Sequence, residues 1–80
     1  MKGHIVTEPK LMDNRRITFS LFEETNGREI ICQTMGDDNA PNMLKKISEM
    51  KHVEIEGNWI PTDRGASIMF RVDSVKNLEN

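Results

Sequence analysis

The chain has 80 residues, 36% of them hydrophobic and 30% charged, and eleven Lys and Arg against thirteen Asp and Glu leave a net charge of -2. A domain of this size removes only about 60 to 65% of its unfolded surface from water, which argues for one modest core and against a large buried catalytic cleft. The single cysteine, Cys32, excludes an internal disulfide and a zinc site built from several cysteines, and the charge balance excludes nucleic-acid binding by bulk electrostatics.

No apolar run exceeds four residues, and the opening MKGHIVTEPK lacks the apolar centre of a signal peptide. The expectation is a soluble, cytoplasmic protein in a reducing compartment, with no membrane contact. No repeat, low-complexity tract or linker divides residues 1–80, which are read as a single domain.

Residues 3–7 (GHIVT) form a short β-like run that stops at Pro9, and residues 8–16 (EPKLMDNRR) show no period and read as a loop. From Ile17 the period is two: Ile17, Phe19 and Leu21 alternate with Thr18, Ser20 and Phe22, the signature of a half-buried strand. Asn26-Gly27 follows, a strong hairpin signal because both central positions of a type I′ turn need positive φ. The return strand runs from Arg28 to Met35, and its consecutive Ile30, Ile31 and Cys32 leave the inward parity open.

Gly36 to Asn39 breaks that strand, and Pro41 suits a first helical turn, where its missing N–H costs nothing. Met43, Leu44, Ile47 and Met50 recur at helical spacing and predict one amphipathic helix of roughly ten residues. Asp37 and Asp38 precede it, complementing the positive end of the helix dipole. Val53, Ile55, Gly57 and Trp59 then alternate with Glu54, Glu56 and Asn58 in a fourth strand ended by Pro61. Thr62 to Gly65 reads as a turn, and Ile68, Phe70 and Val72 alternate with Met69, Arg71 and Asp73 in a fifth strand.

The resulting order, β-β-β-α-β-β, is that of the OB-fold, a mainly β, five-stranded Greek-key barrel with one helix between strands three and four. A β-grasp fold is the competitor, although it ordinarily places its helix after two strands. In a barrel, Ile17, Phe19, Leu21, Val53, Ile55, Ile68, Phe70 and Val72 would fill the interior, with Leu44 and Ile47 as the plug. The runs Ile17–Leu21 (ITFSL), Glu29–Gln33 (EIICQ), Lys51–Trp59 (KHVEIEGNW) and Ser67–Val72 (SIMFRV) resemble small nucleic-acid-binding OB domains. The nearest are those of the exonuclease VII large subunit and the anticodon-binding domains of class II aminoacyl-tRNA synthetases. The resemblance covers most of the chain and rests on hydrophobic alternation and Gly57, so what it implies first is the fold; the slightly acidic net charge departs from those families.

OB domains bind oligonucleotides across strands two and three, between the loop joining strands one and two and the loop joining strands four and five. Those loops carry Lys10, Arg15 and Arg16 on one side and Arg64 on the other, while Glu23, Glu24, Glu29, Asp37 and Asp38 fall around the Asn26-Gly27 turn and the helix lead-in. Such clustering suits phosphate contact, because each neutralised phosphate releases counterions and distant acids are screened beyond roughly 10 Å. The competing reading is an ordinary solvated surface. Phe22, opposite in parity to Phe19 and Leu21, is placed to stack a base. Trp59 belongs either to the core or to a ligand-facing rim, and Gln33 and Arg71 are hydrogen-bonding candidates with Thr18 and Ser20 as neighbours.

No nucleophile and base pair, Gly-rich phosphate loop or paired-carboxylate constellation stands out, so no catalysis and no cofactor are expected. His4, His52 and Cys32 read as too scattered for a metal site. The six methionines read as gap-fillers, with Met12, Met35 and Met69 available as an adaptable contact surface. Two functions follow: a module binding single-stranded DNA or RNA, DNA being favoured, in replication or repair; or a protein-interaction module that docks on a larger replication or repair protein or pairs as a homodimer.

Overall fold

The computed structural model describes residues 1–61 and 68–79. Six strands and one helix follow in the order β1 (Lys2–Ile5), β2 (Lys10–Leu11), β3 (Ile17–Glu23), β4 (Arg28–Thr34), α1 (Ala40–Ser48), β5 (His52–Pro61) and β6 (Ile68–Asn77). All strands join one sheet in the order β1-β5-β6-β4-β3-β2, and a further pairing of β1 with β3 closes five of them into a barrel. The pairings are antiparallel except for that of β4 with β6. Among the described residues no helix is long and apolar enough to cross a membrane.

Alternation along the strands builds the core. Ile17, Phe19 and Leu21 of β3, Ile30 and Cys32 of β4, Val53 and Ile55 of β5, and Phe70 and Val72 of β6 are all buried, and Ile47 of α1 joins them. Met43, Leu44 and Met50 pack partly buried against that cluster. Each fully buried aliphatic or aromatic side chain stabilises by about 1.5 to 3 kcal/mol. The inward parity of β4 is thereby fixed on Ile30, Cys32 and Thr34, with Ile31 outside. Thr34 is buried at no polar cost: its hydroxyl accepts from the Ile17 N–H at 2.9 Å and donates to the Met35 carbonyl. Burial pushes the Cys32 thiol up to about 12, so it serves as a small apolar residue.

Four sequence expectations are corrected. The segment 8–16 contains β2, so the sheet has a sixth short strand beyond the five of the barrel. Pro9, without an N–H, separates β1 from β2, and each pairs with a different stretch of the same β3 edge. Lys10 is thus a strand residue opposite Thr18 and not part of a loop. The Asn26-Gly27 turn is not type I′, since only Gly27 has positive φ (66°) and the ladder resumes at Glu23 and Arg28, leaving a four-residue loop. Ile68 is 58% exposed instead of interior, because it pairs with Pro61 beyond Phe70, where β6 begins to pair with β4.

The β5–β6 ladder also carries a bulge. Glu56 pairs with Ser74 but Gly57 with Val72, so Asp73 has no Cα partner. The inserted residue switches parity along β6, which lets Val75 pack against the core while Val72 and Phe70 also face it. At this crowded point a Cβ on Gly57 would stand 1.8 Å from the Arg71 carbonyl oxygen. Gly57→Ala is expected to cost about 2 kcal/mol through forced strand separation, lowering Tm by roughly 10 °C for a chain this short, as read by thermal unfolding followed by circular dichroism. An unchanged Tm would show that the bulge yields freely.

Candidate nucleic-acid interface

The outward parity of four adjacent strands lines up a polar row. Thr18 of β3 registers with Gln33 of β4, Gln33 with Arg71 of β6, and Arg71 with Asn58 of β5. The side chains connect as the register dictates: Gln33 Nε2 donates to Thr18 Oγ1 at 3.4 Å, and Arg71 Nη2 donates to Gln33 Oε1 at 3.4 Å. Arg71 Nη1 lies 3.6 Å from the Met35 sulfur. Two residues along the strands the pairs are Ser20 with Ile31 and Met69 with Ile60, so three apolar side chains and one hydroxyl lie beside the polar row.

A groove of about 340 Å³ crosses this wall, lined by Asn14, Arg16, Gln33, Ile60, Pro61, Met69 and Arg71. Arg16 is brought to it by a tight turn: Met12 and Arg16 pair through the Met12 N–H and the Arg16 carbonyl, and Arg15 takes a left-handed φ of 62°. Asn14 Oδ1 accepts the Arg16 N–H and holds the turn closed. Both guanidinium groups keep donors unspent among the described residues, since Arg16 Nη1 and Arg71 Nε are buried without a hydrogen-bond partner. Two planar cations with free donors in one groove are suited to bind an anionic, planar-edged ligand.

The other expected site residues are distributed differently. Arg15 forms an ion pair with Asp38, so the acids of the helix lead-in are not segregated from the bases as their sequence positions suggested. Lys10 is exposed on the β2 edge, above a shallow depression shared with Met12, Thr18 and Ser20. Phe22 is 43% exposed on the same outer face as Thr18 and Ser20, but at the far end of β3 and opposite Glu29. Trp59 lies on the inward parity, registered with the buried Phe70, and meets it edge-on with ring centroids 5.2 Å apart. It is a rim residue, 40% exposed, with the Arg28 guanidinium 5.2 Å from its ring centroid. Arg64 lies outside the described residues. Gln33, Arg16 and Arg71 therefore come together, while Phe22, Trp59, Lys10 and Arg15 occupy separate neighbourhoods.

Sequence reasoning missed Ile31 as a feature of this wall. It is 54% exposed, and its consecutive position between Ile30 and Cys32 hid which of the three points outward. It also missed Glu23, which is buried in the β3–β4 turn. Its Oε2 accepts the Asn26 N–H at 3.0 Å and also the Thr25 N–H, and its Oε1 accepts from Asn26 Nδ2 at 2.9 Å. Arg28 Nε stands 3.6 Å from the same carboxylate, tying the turn to the guanidinium that covers Trp59.

The chain matches no family model, no curated protein and no solved structure.

Burial pushes the Glu23 carboxyl upward, but the hydrogen bonds from Asn26 and Thr25 outweigh it and hold the group below its ordinary value. A depressed carboxylate contributes stability in full above its unfolded pKa of about 4.3, and loses it as pH falls through the lower folded value. Thermal unfolding from about pH 6 down to about pH 2 should show Glu23→Gln losing less stability with acid than the wild type. Parallel curves for the two proteins would remove Glu23 from the acid response.

Proposed function

We propose that the protein is an OB-fold module that binds single-stranded nucleic acid, DNA in preference to RNA, without catalysing a reaction. Three features support the OB reading. The barrel strands β1, β3, β4, β5 and β6 follow one another around the wall in the order first, second, third, fifth, fourth; the third and fifth are parallel; and the helix stands between the third and fourth.

The observation that carries the functional reading is the Thr18–Gln33–Arg71–Asn58 row with Arg16 at its edge. It crosses the face on which OB barrels hold oligonucleotides, and it sets two incompletely satisfied guanidinium groups, Arg71 bonded to Gln33 and Arg16 at the edge, near further amide and hydroxyl side chains. Arg16 and Arg71 would contact phosphate oxygens, Gln33 and Asn58 would hydrogen-bond sugar or base edges, and the apolar Ile31 and Met69 would lie under the bases. Phe22 would stack a base further along β3, a contact worth about 1 to 3 kcal/mol. With two principal cations the binding is weak and salt-dependent, each phosphate contact contributing about -0.7 to the slope of log K against log salt for a single strand.

Exposed Ile31, with the partly exposed Met69 on the same outer parity, favours the second reading, a protein-docking or self-pairing face on the same wall. Fluorescence anisotropy with labelled oligo-dT and oligo-rU at low and physiological salt separates the two. Binding at micromolar protein is expected, with Arg16→Ala and Arg71→Ala each weakening it and reducing the salt slope by roughly 0.7, and Phe22→Ala weakening it at least about fivefold. No binding at low salt, together with a dimer by light scattering, would reject the nucleic-acid reading in favour of the docking one.

A further inference from the structure

His4 and His52 lie 48 positions apart in sequence and are direct cross-strand neighbours in the barrel, registered on β1 and β5. Their rings stack with centroids 4.4 Å apart and planes 8° from parallel. Glu24, the first residue after β3, completes the group, with its Oε2 at 3.2 Å from His52 Nε2. One ligating atom from each of the three lies within 4.8 Å of the others. The backbones are pinned independently: the Glu24 N–H bonds the Lys2 carbonyl at 3.1 Å, and the Leu78 N–H bonds the His52 carbonyl at 2.9 Å. Glu24 and His52 are respectively 41% and 31% exposed at their side chains, so an ion can reach them from solvent.

We propose that His4, His52 and Glu24 form a binding site for a divalent transition-metal ion of the zinc class. Two imidazoles and one carboxylate are a zinc donor set, and imidazole ligands select zinc, copper and nickel over magnesium and calcium. Tetrahedral coordination at bond lengths near 2.0 to 2.1 Å places ligand atoms about 3.4 Å apart, close to the His52–Glu24 separation already present. Rotation of the exposed His4 side chain closes the rest. Three protein ligands leave a fourth position for water. The ion would tie β1 to β5 and to the β3–β4 turn, across the seam that closes the barrel. The proposal does not depend on the nucleic-acid reading: none of the three residues lines the groove of Arg16 and Arg71, although His4 is the cross-strand neighbour of Phe22.

Calorimetric titration of the tag-free, chelator-treated chain with zinc sulfate tests it. One ion per chain is expected, with His4→Ala and His52→Ala each lowering affinity at least tenfold and Glu24→Gln lowering it by a smaller factor, while circular dichroism verifies the fold of each variant. Free zinc at one hundred times Kd should raise Tm by roughly 15 °C, as linkage requires. A second measurement needs no variant: the chain has only two histidines, and zinc should shift the imidazole nitrogen resonances of both. Absence of binding at about 100 µM zinc, affinity unchanged in His4→Ala and His52→Ala, or a shift confined to one ring would each overturn the site; structural zinc sites bind with dissociation constants of about 10⁻⁷ M or tighter.

Discussion

Closure of the barrel by β1 is the constraint on which the other features depend. A strand of four residues has to satisfy β3 on one side and β5 on the other, and Gly3 is registered with both Glu23 and Val53. The chains approach so closely there that a Cβ on Gly3 would stand 2.2 Å from the Phe22 carbonyl oxygen. Without this seam the sheet would expose two long edges, a state that small β proteins avoid. The seam also creates chemistry: it buries Glu23 beneath the turn it organises, sets Glu24 beside β1, and stacks His4 on His52.

On the opposite wall the decisive device is the bulge at Asp73. A regular β6 would alternate without interruption, and with Val75 packed inward the odd residues Asp73 and Arg71 would follow it. The extra residue reverses that parity, buries Val72 and Phe70, and delivers Arg71 to the outer row beside Gln33 and Asn58. A local irregularity of the ladder therefore serves packing and the groove at once, which is a common use of bulges. Arg16 reaches the same groove by a comparable irregularity, the left-handed Arg15 that turns the chain into β3. Around it Arg15 pairs with Asp38, and the Asp37 N–H bonds the Arg15 carbonyl at 3.3 Å.

Local periodicity made most of the core legible in the sequence. Ile17, Phe19, Leu21, Val53, Ile55, Phe70 and Val72 are buried as alternation predicts, and Ile47 enters from the helix as its spacing predicts. The failures occur where a longer-range partner overrides the local signal. Asn26-Gly27 favours a two-residue turn in isolation, but the Glu23 carboxylate bonds two successive N–H groups and stabilises a four-residue loop instead. Ile68 satisfies the alternation of β6, yet its position beyond the β4 pairing leaves it with no facing wall. The two histidines read as scattered because sequence distance says nothing about neighbours across a closing seam; their shared outward parity, at the matched ends of β1 and β5, was the available signal.

The charge balance takes on a different meaning once the chain is closed. Thirteen acids against eleven bases suggested that any anion-binding face must arise by keeping the acids at a distance. In the structure some of the acids are instead paired locally. Asp38 occupies Arg15, Glu23 stands beside Arg28, and Glu24 contacts His52, so three of the thirteen acids are engaged at turns and at the seam, two of them with arginines. Arg16 and Arg71 are left with unspent donors in the groove, Arg71 beside its amide partner Gln33 and Arg16 at the edge of the row. An ion pair at contact distance is largely neutral beyond a Debye length of about 8 to 10 Å, so local pairing as well as net charge shapes the potential over each face of this small barrel.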